Sequence, residues 1–434
     1  MRHIRSHRDF RRLRHRVESS QTREPTTGER TAWIQLTVVS AASFVVWTGF
    51  GAIIPFLPIF LREETHSSML MIGVIASMFY VGTLLFSSPL GWLSDTIGRK
   101  PVIVCGVALY TLSMFLFTTT REATWFVVFR LFEGIGAAAV GPAGQAFIAD
   151  ITHEKDRSKA YGVLTTAQFG GLVIGPALAS PIYYAFGGGV DGFRAIFLAG
   201  AIGAACVTLG LFLLIREPIC RSQRPARTTF AKSSRPPYRQ LLTPAILAFV
   251  LIAFTNHFSM GAFEVVWSIR LLDIGASLSF ISLTFIVFSV PMLLSFAGGM
   301  LADRYSRFVL TIGGFTVAAC AWLVYGLTEN LQLILVASAV EGLAVAFSYP
   351  AKQAFFMQVS PAEWRGTLVG FENTSTQLSG LVGTLVAPAI YGWIAGQVLT
   401  LAGSISLLGL AVAAPILRHA WHNVAPQSDT SACD

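Results

Sequence analysis

Long apolar runs separated by short polar breaks dominate this chain. They fall at about 33–61, 70–93, 101–120, 124–149, 159–186 and 193–215, then 243–269, 278–301, 308–327, 331–357, 366–392 and 396–417. Each holds roughly 18 residues or more, enough for a helix to cross a bilayer core of about 30 Å. The pattern predicts an all-α membrane protein of twelve transmembrane helices. Between the sixth and seventh runs lies "REPICRSQRPARTTFAKSSRPPYRQ" at 216–240, rich in Arg, Pro and Ser, which reads as a linker between halves. The expected layout is a tail (1–32), a six-helix bundle (33–215), a linker (216–242), a second bundle (243–417) and a short tail (418–434).

Composition supports that reading. The 434 residues are 53% hydrophobic and only 12% charged, too little charge to cover a soluble surface. The first 32 residues carry nine Arg and resemble the start of a signal peptide. The apolar run behind them is too long for a cleaved one, so it reads as a first span. A net charge of +8 raises the question of nucleic acid, but the basic residues lie in tails and loops rather than on a folded domain. By this alternation 26 of the 31 Lys and Arg fall on one side, Lys352 counted with the loop near 365. Only Arg62, Arg121, Arg194 and Arg270 fall opposite, and Arg130 lies within a span. That asymmetry places both termini and the linker in the cytoplasm. The five cysteines (Cys105, Cys206, Cys220, Cys320, Cys433) have no metal-binding spacing, so neither metal nor cofactor is expected.

The two halves repeat at an offset of 208 residues, which pairs Gly91 with Gly299, Asp95 with Asp303, Arg99 with Arg307, Glu133 with Glu341 and Gly175 with Gly383. A constant offset over many sites indicates duplication of a six-span unit. Even-numbered copies share an orientation, so the axis relating them runs along the membrane normal and a substrate site is expected between them.

The most charged of the short turns is "GWLSDTIGRK" at 91–100, echoed by "GMLADRYSR" at 299–307. Gly98 permits a tight turn and Gly91 a close helix approach. Asp95 stands where a carboxylate can face a helix N-terminus. Arg99 and Lys100 can pair with Asp150 or Asp156, contacts expected to hold the cytoplasmic side closed. The alternative is a solvated turn that only sets topology. The decapeptide resembles the G-x-L-x-D-x-x-G-R-K motif of the major facilitator superfamily, and the likeness extends over about 33–418. Ser306 stands where the second copy would have Gly. "FRLFEGIGAAAVGP" (129–142) resembles the family's fourth-span motif, which implies a link between Arg130 and proton coupling. "GLVIGPALAS" (171–180) is similar to the antiporter motif at Gly171, Gly175 and Pro176, while Ala179 and Ser180 replace a Gly pair. "GFGAIIPFLP" (49–58) looks like the first span of twelve-span drug:proton antiporters.

Ala167, Gly171, Gly175 and Ala179 form a small-residue stripe, repeated as Ser375, Ser379, Gly383 and Ala387. Such a face suits close packing, expected here at the boundary of the halves.

Ionisable residues inside spans are costly and need a reason. Arg130 and Glu133, three apart on one helix, can neutralise one another or serve proton or substrate traffic. Glu264 has no basic residue at helical spacing, and Glu341 has Ser338 where its repeat partner has Arg130. The resemblance implies that Glu133, Glu264 and Glu341 face a cavity. Glu372 reads as structural. His257 either relays protons or packs, and Trp47, Phe50, Tyr80, Phe263 and Trp267 line a cavity or fill the core.

The expectation is a secondary transporter in the inner (plasma) membrane, a monomer by the family's habit. It would export small amphipathic compounds or drugs in exchange for protons, by alternating access. A proton-coupled uptake symporter and a non-transporting receptor are the rivals. Without a phosphate loop, H-E-x-x-H or Ser/His/Asp grouping, an enzyme is a poor fit.

Overall fold

A computed structural model describes residues 27–152, 156–217 and 241–424. The helices are α1 (Thr27–Glu63), α2 (Met69–Ile97), α3 (Arg99–Leu116), α4 (Ala123–Ile151), α5 (Arg157–Ala185) and α6 (Gly189–Leu214), then α7 (Pro244–Asp273), α9 (Arg307–Leu327), α10 (Leu331–Val359), α11 (Arg365–Ile394) and α12 (Gln397–Val424). The eighth crossing is broken into α8a (Leu278–Ser289), a 3-10 stretch (Val290–Leu294) and α8b (Ser295–Arg304). Eleven helices are thus long and apolar enough to cross a membrane, and the residues 278–294 add a shorter apolar piece. Their outer surface is greasy, with Leu85, Phe212, Leu213 and Leu408 exposed.

Local chemistry sets many helix starts. Ser68, Ser277 and Ser306 each accept the backbone N–H of the third residue on, satisfying one of the unpaired donors of a helix start. Thr243 does the same for Ile246, with Pro244 at the first helical position. Gly98 (φ 122°) turns α2 into α3 with no residue to spare.

Packing repeats in the two halves. Helix α5 packs on α1 as α11 packs on α7, and α4 on α2 as α10 on α8; α3 lies on α4 and α6 as α9 lies on α10 and α12. A Cβ on Gly175 would stand 2.3 Å from the Thr48 carbonyl, and one on Gly383 2.3 Å from that of Phe258. Gly171 meets Phe44, and Ser379 donates to Phe254, at the mirrored place. The small-residue stripes therefore seat α5 on α1 and α11 on α7 inside each half, and are not the boundary between halves as the sequence suggests.

The break in α8 corrects the expected single helix and has a physical origin. Phe79 and Phe288 carry equivalent carbonyls, each against a glycine of the neighbouring helix (Gly134 and Gly342). Phe288 is eleven residues from Gly299, whereas Phe79 is twelve from Gly91. A 3-10 stretch rises about 2.0 Å per residue against 1.5 Å in an α-helix, so five such residues more than recover the missing length. Pro291 within it removes one helical hydrogen bond.

The halves meet along α2 with α11 and α5 with α8. Their cores differ along the membrane normal. On the side away from the chain ends, here the far side, one apolar cluster joins Phe56, Phe60 and Ile72 to Val265, Leu271 and Tyr391 of the other half. On the tail side each half keeps its own cluster, one around Leu36, Val102 and Phe147, the other around Phe249, Phe315 and Phe355. The halves are packed together on the far side and separate on the tail side.

Among the cysteines, Cys105, Cys206 and Cys320 are free and exposed, while Cys220 and Cys433 lie outside the described residues. So do most of the expected tails and linker.

Candidate functional site

Arg130 reaches from the third turn of α4 to the seam between the halves. Its Nη1 donates to Glu133 Oε2 at 2.9 Å, within α4, and its Nη2 to Glu264 Oε1 at 2.5 Å, on α7. Tyr80 Oη of α2 donates to the other oxygen of Glu264 at 3.0 Å. Side chains of Arg130 and Glu133 are 2% and 0% exposed, that of Glu264 13%. The guanidinium also stands over the Phe79 ring, 5.1 Å from its centroid. Both carboxylates thus share one cation, and the Arg130–Glu264 pair spans the two halves. Arg130 Nε and Glu133 Oε1 are buried without a hydrogen-bond partner among the described residues, leaving one donor and one acceptor of the cluster unused.

The expectation that Glu264 is unpaired is therefore corrected. Helical spacing reveals partners on one helix, and this partner lies 134 residues away. Glu341 does not face the centre either. It is 3% exposed and turned toward α9, where Trp322 Nε1 and Tyr325 Oη donate to its two oxygens at 2.8 and 2.7 Å. Tyr325 also bonds Ser338, the residue that replaces Arg130 in the repeat. One half meets its acidic residue with a cation, the other with two neutral donors. His257 Nδ1 is engaged with the Ala253 carbonyl at 3.0 Å.

Lys352, placed in a loop by its charge, is instead buried in α10 and paired with Glu372 of α11 at 2.6 Å. Both side chains are under 5% exposed.

Beside Arg130 a cavity of about 180 Å³ opens within the first half, among α1, α3, α4 and α5. Trp47, Phe50 and Phe79 form one wall, with Trp47 edge-on to Phe50 and Phe50 against Phe79. Ser43, Tyr110, Gln145 and Gln168 bring the polar atoms. Phe263 and Trp267 are buried core instead, Trp267 donating to Thr284.

At the tail side Arg99 pairs with Asp95, with Asp150 at 3.2 Å, and bonds Ser94. Glu217, just after α6, accepts the N–H groups of Arg99 and Lys100 at 2.9 Å each, the first free donors of α3. Sequence reasoning assigned that role to Asp95; Glu217 sat at the start of the linker, with no pattern to mark it. Lys100 stands over the Phe212 ring. In the second half Arg307 bonds Gln358, the counterpart of Asp150, and the Asp303 side chain lies outside the described ones. These motif contacts tie α2, α3, α4 and the end of α6 within the first half. The Arg99–Asp150 pair is one of the two partnerships expected for this turn.

The bridging contacts lie further along. Tyr80 sits against Gly380, Gln377 bonds Thr83, and Ser180 bonds Ser279 at 2.9 Å. At the far rim Arg62 pairs with Asp273 at 2.8 Å, and Tyr391 donates to the same carboxylate at 2.6 Å.

Comparison with known proteins agrees with this architecture. The chain is 26% identical over 382 residues to Multidrug resistance protein 2 of Bacillus subtilis (strain 168), covering 85% of this chain and 92% of that protein. It is 23% identical over 396 residues to Quinolone resistance protein NorA of Staphylococcus aureus (strain COL), covering 87% and 95%. Among solved structures it resembles a D-xylose–proton symporter (TM-score 0.71, 16% identity, 88% and 96% covered). It also resembles a bacterial homologue of the human lysosomal transporter Spinster in an inward-facing, occupied conformation (TM-score 0.67, 17% identity, 90% and 96% covered). The profile described as Major Facilitator Superfamily matches residues 39–262 and 249–430, and with twelve apolar crossings in two repeated halves this chain is a multi-pass membrane transporter belonging to that family.

Proposed function

We propose that this transporter exports small amphipathic compounds in exchange for protons. In this reading it works in a bacterial inner membrane as a monomer, with its chain ends in the cytoplasm and no cofactor. The observation that carries the reading is the Arg130–Glu264 pair, a buried charge contact across the two halves that must move. The names of the multidrug and quinolone resistance relatives support export.

A compound that enters from the cytoplasm displaces Arg130 from Glu264, and the halves part on the far side. There Glu264 takes a proton from outside and the compound leaves. The protonated protein closes the far side, the proton is lost to the cytoplasm, and Arg130 and Glu264 pair again with the cavity facing inward. Arg130 keeps Glu133 compensated throughout. Tyr80 positions the Glu264 carboxyl, while Glu341 fastens α10 to α9. The paired arrangement corresponds to a conformation open toward the cytoplasm.

The test uses everted membrane vesicles energised to an acidic interior and read with a pH-sensitive dye, challenged with lipophilic cations and neutral antibiotics. Wild type is expected to release protons on addition of an exported compound, and Glu264→Gln to release none. Proton-driven solute entry into whole cells, with no exchange in vesicles, identifies an importer and overturns the export reading.

A further inference from the structure

The halves repeat in sequence and in helix packing, but the cavity beside Arg130 belongs to one half only. In the first half α4 lines it with Gly136, Ala137, Gly141 and Gly144. The equivalent positions of α10 hold Ala344, Val345, Tyr349 and Lys352, every one of them larger. Leu164 of α5, also in the lining, has Glu372 as its counterpart. The pair Lys352–Glu372 therefore occupies in the second half the place that Gly144 and Leu164 leave open in the first, with the Lys352 ammonium standing over the Tyr349 ring. In α1 and α7 the contacts of Gly175 with Thr48 and of Gly383 with Phe258 set the offset at 210, which puts Phe249 at the place of Val39 in the lining; Phe249 packs edge-on against Phe355 and Phe356. At these positions the second half carries the bulkier side chains.

The lining also limits what fits. Among the described residues it contains no Asp, Glu, Lys, Arg or His. An apolar cavity of about 150 Å³ takes one benzene ring, so about 180 Å³ suits one or two fused rings. The Trp47, Phe50 and Phe79 rings offer edge and face contacts, and Gln145 and Gln168 offer amide donors and acceptors. A charged group here would be desolvated without a counter-charge.

We infer that this pocket of the first half seats an uncharged fused-ring part of the transported compound, and that the second half contributes no equivalent pocket. The inference rests on the transport reading above and specifies its substrate class. It also gives the compound a physical route to the charges. A ring in the pocket lies against Phe79, over whose ring the guanidinium of Arg130 also stands.

The experiment is equilibrium dialysis of purified full-length protein with 2-naphthol, a neutral two-ring probe, and with its anionic analogue 2-naphthoate. Gly144 and Gly141 have nothing within 4 Å of an added Cβ, so a larger side chain at either projects into the pocket without a backbone clash. Gly144→Leu and, independently, Gly141→Leu are each expected to weaken 2-naphthol by about tenfold through loss of apolar burial. Gly313→Leu, at an equally open glycine of α9, is expected to leave it unchanged. 2-Naphthoate should bind wild type about tenfold more weakly than 2-naphthol. A wild type that binds neither probe, leucine variants that bind normally, or a Gly313→Leu variant that loses as much affinity overturns the pocket assignment; equal binding of the two probes overturns its neutral-ring class. Loss of 2-naphthol binding in the leucine variants, in a protein that exchanges no protons in vesicles, leaves the pocket standing and removes the export reading. The reverse result separates the two the other way.

Discussion

The far side and the tail side of the seam are built from the same twelve helices, yet they are held in opposite ways. On the far side the halves share one apolar core, and polar contacts cross between them at Arg62–Asp273 and Ser180–Ser279. On the tail side each half has its own core, and the motif charges Asp95, Arg99 and Asp150 neutralise one another inside the first. The comparison teaches where the work of switching lies. Opening the far side means separating a continuous apolar core along with its hydrogen bonds. The tail side has already made that separation, and its charges keep their partners in the open arrangement.

The most severe way to test this is to prevent the far side from opening. Cysteines in place of Ser180 and Ser279, in a chain otherwise free of cysteine, should form a disulfide under mild oxidation and stop transport completely. Transport should return on reduction. A cross-linked protein that still turns over would mean that the far side need not part.

Next in size is the buried charge cluster around Arg130. Arg130→Ala leaves Glu133 and Glu264 buried with no cation between them, and removal of one member of a buried pair costs about 3–5 kcal/mol. The expected outcome is a clear drop in the thermal unfolding temperature together with loss of proton-linked transport. Glu264→Gln keeps the hydrogen bond from Tyr80 in reach and should be less destabilising. If Arg130→Ala unfolds like wild type, the two carboxylates do not depend on Arg130.

A smaller effect belongs to packing inside one half. The Cβ of Gly175→Ala would enter the Thr48 carbonyl at 2.3 Å, so α5 must shift on α1, at about 1–3 kcal/mol of overpacking. Gly162→Ala, with open space around its added Cβ, should unfold like wild type. A Gly175→Ala protein as stable as wild type would show that α5 and α1 are not seated on that glycine.

These contrasts mark what a sequence can disclose. Crossings, their number and the duplication were legible because a span needs about twenty apolar residues wherever it packs. The Gly91–Lys100 turn was legible as well, since charges beside a span have few roles. Partnerships were not. Arg130–Glu264, Lys352–Glu372 and Glu341 with Trp322 all join separate helices, and periodicity along one helix carries no information about the next. Lys352 was misplaced because a Lys near a helix end usually reaches water, and a carboxylate twenty residues on supplied the alternative. The break in α8 was hidden for another reason. A one-residue deletion leaves hydropathy untouched and shows only when equivalent backbone contacts are matched across the halves.

The gentlest test separates the two ends of the seam from each other. Arg62 and Asp273 keep roughly a third of their side-chain surface exposed, so water screens much of their attraction and the pair contributes about 0.5–1 kcal/mol. Asp273→Asn removes the charge but still offers an acceptor to Tyr391. The far side should therefore open about two- to fivefold more often. A single cysteine at position 180, buried in the seam, in an otherwise cysteine-free chain reads this as faster reaction with an impermeant maleimide. Asp150→Asn weakens a pair that lies wholly within the first half, so it should leave that rate as it was. If Asp150→Asn speeds the reaction as much as Asp273→Asn does, the charges of the tail side are coupled to the far rim, and the two ends are one device rather than two.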